Sequence, residues 1–152
     1  MAKNGFSMSK RVAVEQITGD KTLTVNDCGK TFIVDSVTQG SAVDITMPNR
    51  ATAEDGWNAT FIMESGSGGG AASQNVVWSG SAGDSATTPF VVLGQNLLGS
   101  GKTGVSDSAA TVTVPGSVLQ NGDVVKVTMI DGNLTGKVWY VDAITSGSLT
   151  TT

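Results

Sequence analysis

Three groups of residues in this 152-residue chain have types and spacings that could do chemistry. The first is Gly99-Ser100-Gly101-Lys102-Thr103-Gly104, which carries the Gly-Lys-Thr end of a phosphate-binding loop. That loop needs another Gly five residues earlier, and a helix afterwards whose first amides hold the phosphate. Asn96 stands at the earlier position, and Val105-Ser106-Asp107 leads into a Thr/Val strand. The segment therefore reads as a loop tip. The second group is the carboxylates Asp35, Asp44 and Glu64. Two carboxylates at the right separation run glycoside hydrolysis. Alternation puts Asp35 and Asp44 on the solvent faces of strands, and no spacing marks a pair. The third is Cys28, the only cysteine, so no intrachain disulfide can form. A thiol nucleophile needs a basic partner, and the chain has no histidine. Cys28 reads as a small, semi-buried residue of a strand-entry turn beside Gly29.

Metal and cofactor chemistry find no better footing. Zinc sites draw on several Cys and His residues. Calcium needs convergent oxygens, and Asp131-Gly132-Asn133 and Glu54-Asp55-Gly56 fall short of such a loop. These triplets read as turns, which Asp, Asn and Gly stabilise locally. The expectation is no catalytic, cofactor or metal site, and no enzymatic activity. Of the three tryptophans, Trp57 and Trp139 lie in strongly alternating segments and are expected in the core. Trp78 sits between loops and is the candidate for an exposed ring that could stack on a sugar.

The elements that would position these groups are strands. Val43, Ile45 and Met47 alternate with Asp44 and Thr46, and side chains alternate across a strand with period two. Strands are predicted at Thr22–Val25, Thr31–Asp35, Ala42–Met47 and Trp57–Glu64. In the last, Trp57, Ala59, Phe61 and Met63 share a face. Short pieces follow at Val76–Trp78, Pro89–Leu93 and Ala110–Val114. Gly/Ser-rich loops separate them, and Gly94–Ser108 is expected to be loose. Val124–Ile130 and Lys137–Ile144 form a hairpin about Asp131-Gly132-Asn133, with Val125, Val127 and Met129 on one face. The sum is an all-β, jelly-roll-like sandwich or barrel of about eight to nine short antiparallel strands with minimal helix. The fixed short repeat of a β-solenoid is not found. Residues 1–19 read as an N-terminal arm, 20–146 as the β domain and 147–152 as a flexible tail.

Composition narrows the class further. A chain of this length hides roughly 70% of its unfolded surface as one domain. Charged residues make up 14%, well below the usual ~25%. The net charge is −4 and the nine basic residues are scattered, which argues against nucleic acid. The basic grouping Lys3, Lys10 and Arg11 lies near the N-terminus, with Phe6 beside it. No apolar run approaches the ~20 residues that cross a bilayer, so no membrane partner is expected. The first residues lack the apolar stretch and cleavage site of a secretory signal. Synthesis in a cytoplasm is the expectation.

Several pieces together resemble the head-decoration (cement) proteins of tailed bacteriophages and related β domains of tail fibres. They are Thr22-Leu23-Thr24 leading to Gly29-Lys30-Thr31-Phe32, Ile45-Thr46-Met47-Pro48, and Gly56-Trp57 with Phe61-Ile62. Near the end come Asn121-Gly122-Asp123-Val124 and Gly136-Lys137-Val138-Trp139-Tyr140-Val141. The resemblance implies a virion structural protein, made in the host cytoplasm and located on the outer capsid surface. It implies a homotrimer that binds the major capsid protein between capsomers and stabilises the head. Lys3, Phe6, Lys10 and Arg11 are then the capsid-contact candidates. The alternative is a tail-fibre or spike domain that recognises a host glycan through Trp78.

Overall fold

The computed structural model describes residues 13–37, 40–64, 74–84, 89–97, 101–103, 106–132 and 136–152. These fold into two facing β-sheets. The larger has eight strands: β1 (Val14–Ile17), β3 (Thr31–Asp35), β5 (Asn58–Glu64), β11 (Val124–Gly132), β12 (Gly136–Thr145), β7 (Phe90–Leu97) and β8 (Gly101–Thr103) in that spatial order, with β9 (Ser106–Ala109) also on β7. The smaller has five: β13 (Thr150–Thr151), β10 (Thr111–Val114), β6 (Val76–Ser79), β4 (Val43–Thr46) and β2 (Lys21–Thr22). Neither sheet closes into a barrel. The expected all-β sandwich is the fold.

The strand directions correct the expectation of antiparallel pairing. From β1 to β7 the chain alternates between the sheets, one strand in each. It therefore re-enters each sheet travelling the same way, and parallel pairs result: β1 with β3, β3 with β5, β2 with β4, and β4 with β6. Parallel neighbours need a crossover connection, and here each crossover carries a strand of the opposite sheet. The first half thus winds like a solenoid without a sequence repeat. Val14, Thr31 and Thr60 stand in register, although the steps between them differ in length. Antiparallel pairing begins with β8 and β9 on β7 and β10 on β6, and the expected hairpin of β11 and β12 inserts between β5 and β7.

The element boundaries move in three further places. Val14–Ile17 is a sheet strand and not part of an arm. Val25–Asp27 is a 3-10 turn, because Thr24 donates from both its backbone N–H and its hydroxyl to the Asp27 carboxylate. Such side-chain bonds compete with the sheet ladder. The polar C-terminus is tied down, with Thr150 opposite Thr113 and Thr151 opposite Val112. At Gly29 (φ 77°) and Gly122 (φ 87°) the backbone is left-handed, a conformation glycine adopts without strain.

The inner faces form one core. Val43, Ile45 and Met47 are buried, as are Trp57, Ala59, Phe61 and Met63, and Val125, Val127 and Met129. All ten fall on the faces their alternation predicts. Phe32 and Phe61 stack with centroids 5.4 Å apart, and Phe61 meets Trp78 of the other sheet edge-on, also at 5.4 Å. Burying a large apolar side chain of this kind contributes roughly 1.5–3 kcal/mol.

Candidate functional site

Each group that could do chemistry occupies a structural position. Lys102 and Thr103 lie in β8, paired with β7, where a phosphate loop would begin a helix. Cys28 is exposed, not semi-buried, because it follows the 3-10 turn on its outer side. It borders a shallow cleft of about 360 Å³ with Val25, Thr52, Glu54, Asp55 and Trp57. The Asp55 carboxylate accepts the backbone N–H of Asp131, and Trp57 donates its Nε1–H to the Val25 carbonyl at 3.1 Å. The chain has no histidine to serve the thiol as a base. Asp35 is buried at 9% exposure, contrary to its expected solvent position, and its carboxylate accepts the Val37 N–H. Asp44 and Glu64 are exposed. Among the described residues no three or more His, Cys, Asp or Glu side chains are grouped to hold a metal ion.

The charged side chains instead fasten the sandwich. Strands β1 and β2 are the edges of their sheets on the same side, so the core opens there. Glu15 lies in the row of Phe32 and Phe61, on the inner face. Its carboxylate takes Lys21 of the opposite sheet at 2.5 Å and Lys30 at 3.0 Å. Lys30 also reaches Asp27 at 2.6 Å. An inward charge on an edge strand resists further strand pairing. Hydrogen bonds from Lys21 and then Lys30 hold the Glu15 carboxyl below its ordinary 4.5. Burial pushes the Asp27 carboxyl up, but bonds from Lys30 and Thr24 outweigh it, leaving it below 3.8. The same bonds, Asp27 first, raise the Lys30 ammonium.

Both carboxyl shifts stabilise the fold above the unfolded-state values, and that stability is lost as pH falls through the lowered folded-state values. Lys30→Met should cost about 1 kcal/mol near neutral pH, the upper end for half-exposed ion pairs. The gap in melting temperature between the two proteins should narrow as pH falls through and below 3.8. A constant gap across an acid titration followed by circular dichroism would rule this network out as the cause.

A second fastening ties two loops to the start of β12. Arg50 donates from Nε and Nη2 to both Asp84 carboxylate oxygens, at 2.6 and 2.7 Å, and from Nη1 to the Lys137 carbonyl. Lys137 returns its ammonium to the Ala53 carbonyl at 2.8 Å, and Asn49 binds the Gly83 carbonyl. Asp123, 2% exposed, accepts the N–H of Gln120 and both the N–H and hydroxyl of Ser146.

Of the binding candidates, Lys3, Phe6, Lys10 and Arg11 lie outside the described residues. Trp78 is corrected. Its exposure is 0%, because β6 pairs with β4 and β10 in mid-sheet and places the ring between Ile45 and Val112, against Phe61. It cannot stack on a sugar. What the sequence reading missed is the outer face of the large sheet. One row across it runs Ile33, Ile62, Val124, Ile144. The next row runs Thr31, Thr60, Lys126, Asp142. Ile144 is 46% exposed and Ile130, on the same face, 39%. Each strand shows this signal only as an apolar residue at an outward position, and pairing of distant segments makes it a patch. Searches find no protein-family model, no curated protein and no solved structure that matches the chain.

Proposed function

We propose that this protein is a structural component of a virus particle, a decoration protein that binds the outside of a phage head and stabilises it. The observation that carries the reading is the use of its charges. Glu15, Lys21, Asp27 and Lys30 brace the open edge, and Arg50, Asp84 and Lys137 brace the loops. Arg50, Asp84 and Lys137 line a cleft of about 290 Å³, and there their charged groups are engaged with one another and with backbone carbonyls. The residues that carry the resemblance to decoration proteins occupy the same scaffold: Phe32, Ile45, Met47, Trp57, Phe61 and Trp139 are buried. A rigid body of this kind acts through area and copy number, since many weak contacts add avidity.

Attachment is assigned to the first twelve residues, through Lys3, Phe6, Lys10 and Arg11. The test is co-sedimentation with expanded heads assembled without the protein. A truncation must stop before Val14, because β1 belongs to the sheet. The full chain should load to saturation, and a chain lacking residues 1–12 should lose at least about tenfold in affinity, or 1.4 kcal/mol. Equal loading by both would remove the arm as anchor. No loading by the full chain would overturn the decoration reading itself.

A further inference from the structure

We propose that the outer face of the large sheet is a two-fold interface with a second copy of this chain. The inference does not depend on the virion reading. One row of the face is apolar where sheet exteriors are usually polar: Ile33, Ile62, Val124 and Ile144 are contiguous across four strands, the first three half-buried and Ile144 exposed. Contiguous exposed apolar surface marks interaction sites.

The identity of the partner follows from the pattern along β11 and β12. Their outward residues pair as Val124 with Ile144, Lys126 with Asp142, Thr128 with Tyr140, and Ile130 with Val138. A two-fold axis parallel to the strands and passing between them carries β11 of one copy onto β12 of the other. Each residue then faces the copy of its own cross-strand partner. Lys126 meets Asp142 of the second copy, and Asp142 meets its Lys126. Val124 meets Ile144, while Ile130 lies over Val138, which its own chain already buries. Apolar thus faces apolar at Val124 and Ile144, cation faces anion at Lys126 and Asp142, and Thr128 faces Tyr140. An isologous interface requires such self-complementarity, and two sheets can pack face to face with nearly aligned strands. Lys126 and Asp142 are both exposed, and neither takes part in an ion pair among the described residues. A partner of uniform charge would repel one of them.

The experiment is sedimentation of the full chain across a concentration series, with charge reversals. Wild type should form a dimer. Lys126→Asp and Asp142→Lys should each weaken self-association by roughly 100-fold, since each sets two like-charge contacts across the axis. Mixing the two variants should restore dimers, because one then presents only anions and the other only cations at these positions. That rescue cannot come from repair within a single chain. Ile144→Asp should also give monomers, with an unchanged melting temperature at low concentration. A wild type that stays monomeric, or that sediments as a trimer without a dimer, overturns the two-fold arrangement. So does a mixture of the two reversals that fails to associate.

Discussion

Trp78→Ala should lower the melting temperature by roughly 10–15 °C, the largest effect of any single substitution considered for this protein. The ring is fully buried, flanked by Ile45 and Val112 within its sheet and edge-on to Phe61 across the core. Truncation removes that area and leaves a cavity that paired strands on both sides cannot collapse to fill. Such changes cost about 3–5 kcal/mol. Trp78→Phe should cost far less. It keeps a ring against Phe61 and deletes an Nε1–H that meets no acceptor. Thermal unfolding of the three proteins separates the cases. A Trp78→Ala protein that melts like the wild type would place the ring outside the core. The same experiment bears on glycan recognition. Any binding lost with Trp78 should track unfolded protein, and should return when the variant is assayed well below its melting temperature.

Arg50→Met should destabilise the fold by about 3 kcal/mol, or roughly 6–12 °C. Asp84 has only 4% of its side chain exposed and takes two bonds from the guanidinium. Without Arg50 that carboxylate remains buried beside an apolar side chain, and the Lys137 carbonyl loses a donor. The cost sits at the lower end for a broken buried pair because Arg50 keeps 13% exposure. Adding Asp84→Asn should recover a large part of the loss, since the amide buries no charge. A double-mutant cycle with no recovery would mean that the carbonyl bonds, not the ion pair, hold these loops.

The two predictions rest on residues that a reading of the sequence treats very differently. Phe61 was legible because Trp57, Ala59, Phe61 and Met63 alternate over a long enough run to show the period. Trp78 was not. Val76-Val77-Trp78 is too short to reveal which face is buried, and its Gly/Ser-rich flanks suggest exposure. Its burial is decided by β4 and β10, whose residues lie more than thirty positions away in either direction. Arg50 and Asp84 likewise lie in separate loops with no local pattern to join them. The outer-face row is the same case again, with one residue from each of four strands.

By itself the sequence determined the two-residue alternation, hence the strands, the inner faces and the hairpin of β11 and β12. Alternation is a local property, and burying one face of a strand is enough to impose it. The absence of histidine, with one cysteine, also restricted the available chemistry before any fold was known. Only the tertiary structure decided which strands are neighbours and in which direction they run. The crossing of the chain between sheets made the pairs parallel. It carried Glu15 to Lys21 across the open edge, took Trp78 into the core and assembled an apolar row on the outside. Those outcomes depend on contacts between distant segments, where the free energy of closing the core outweighs any local preference.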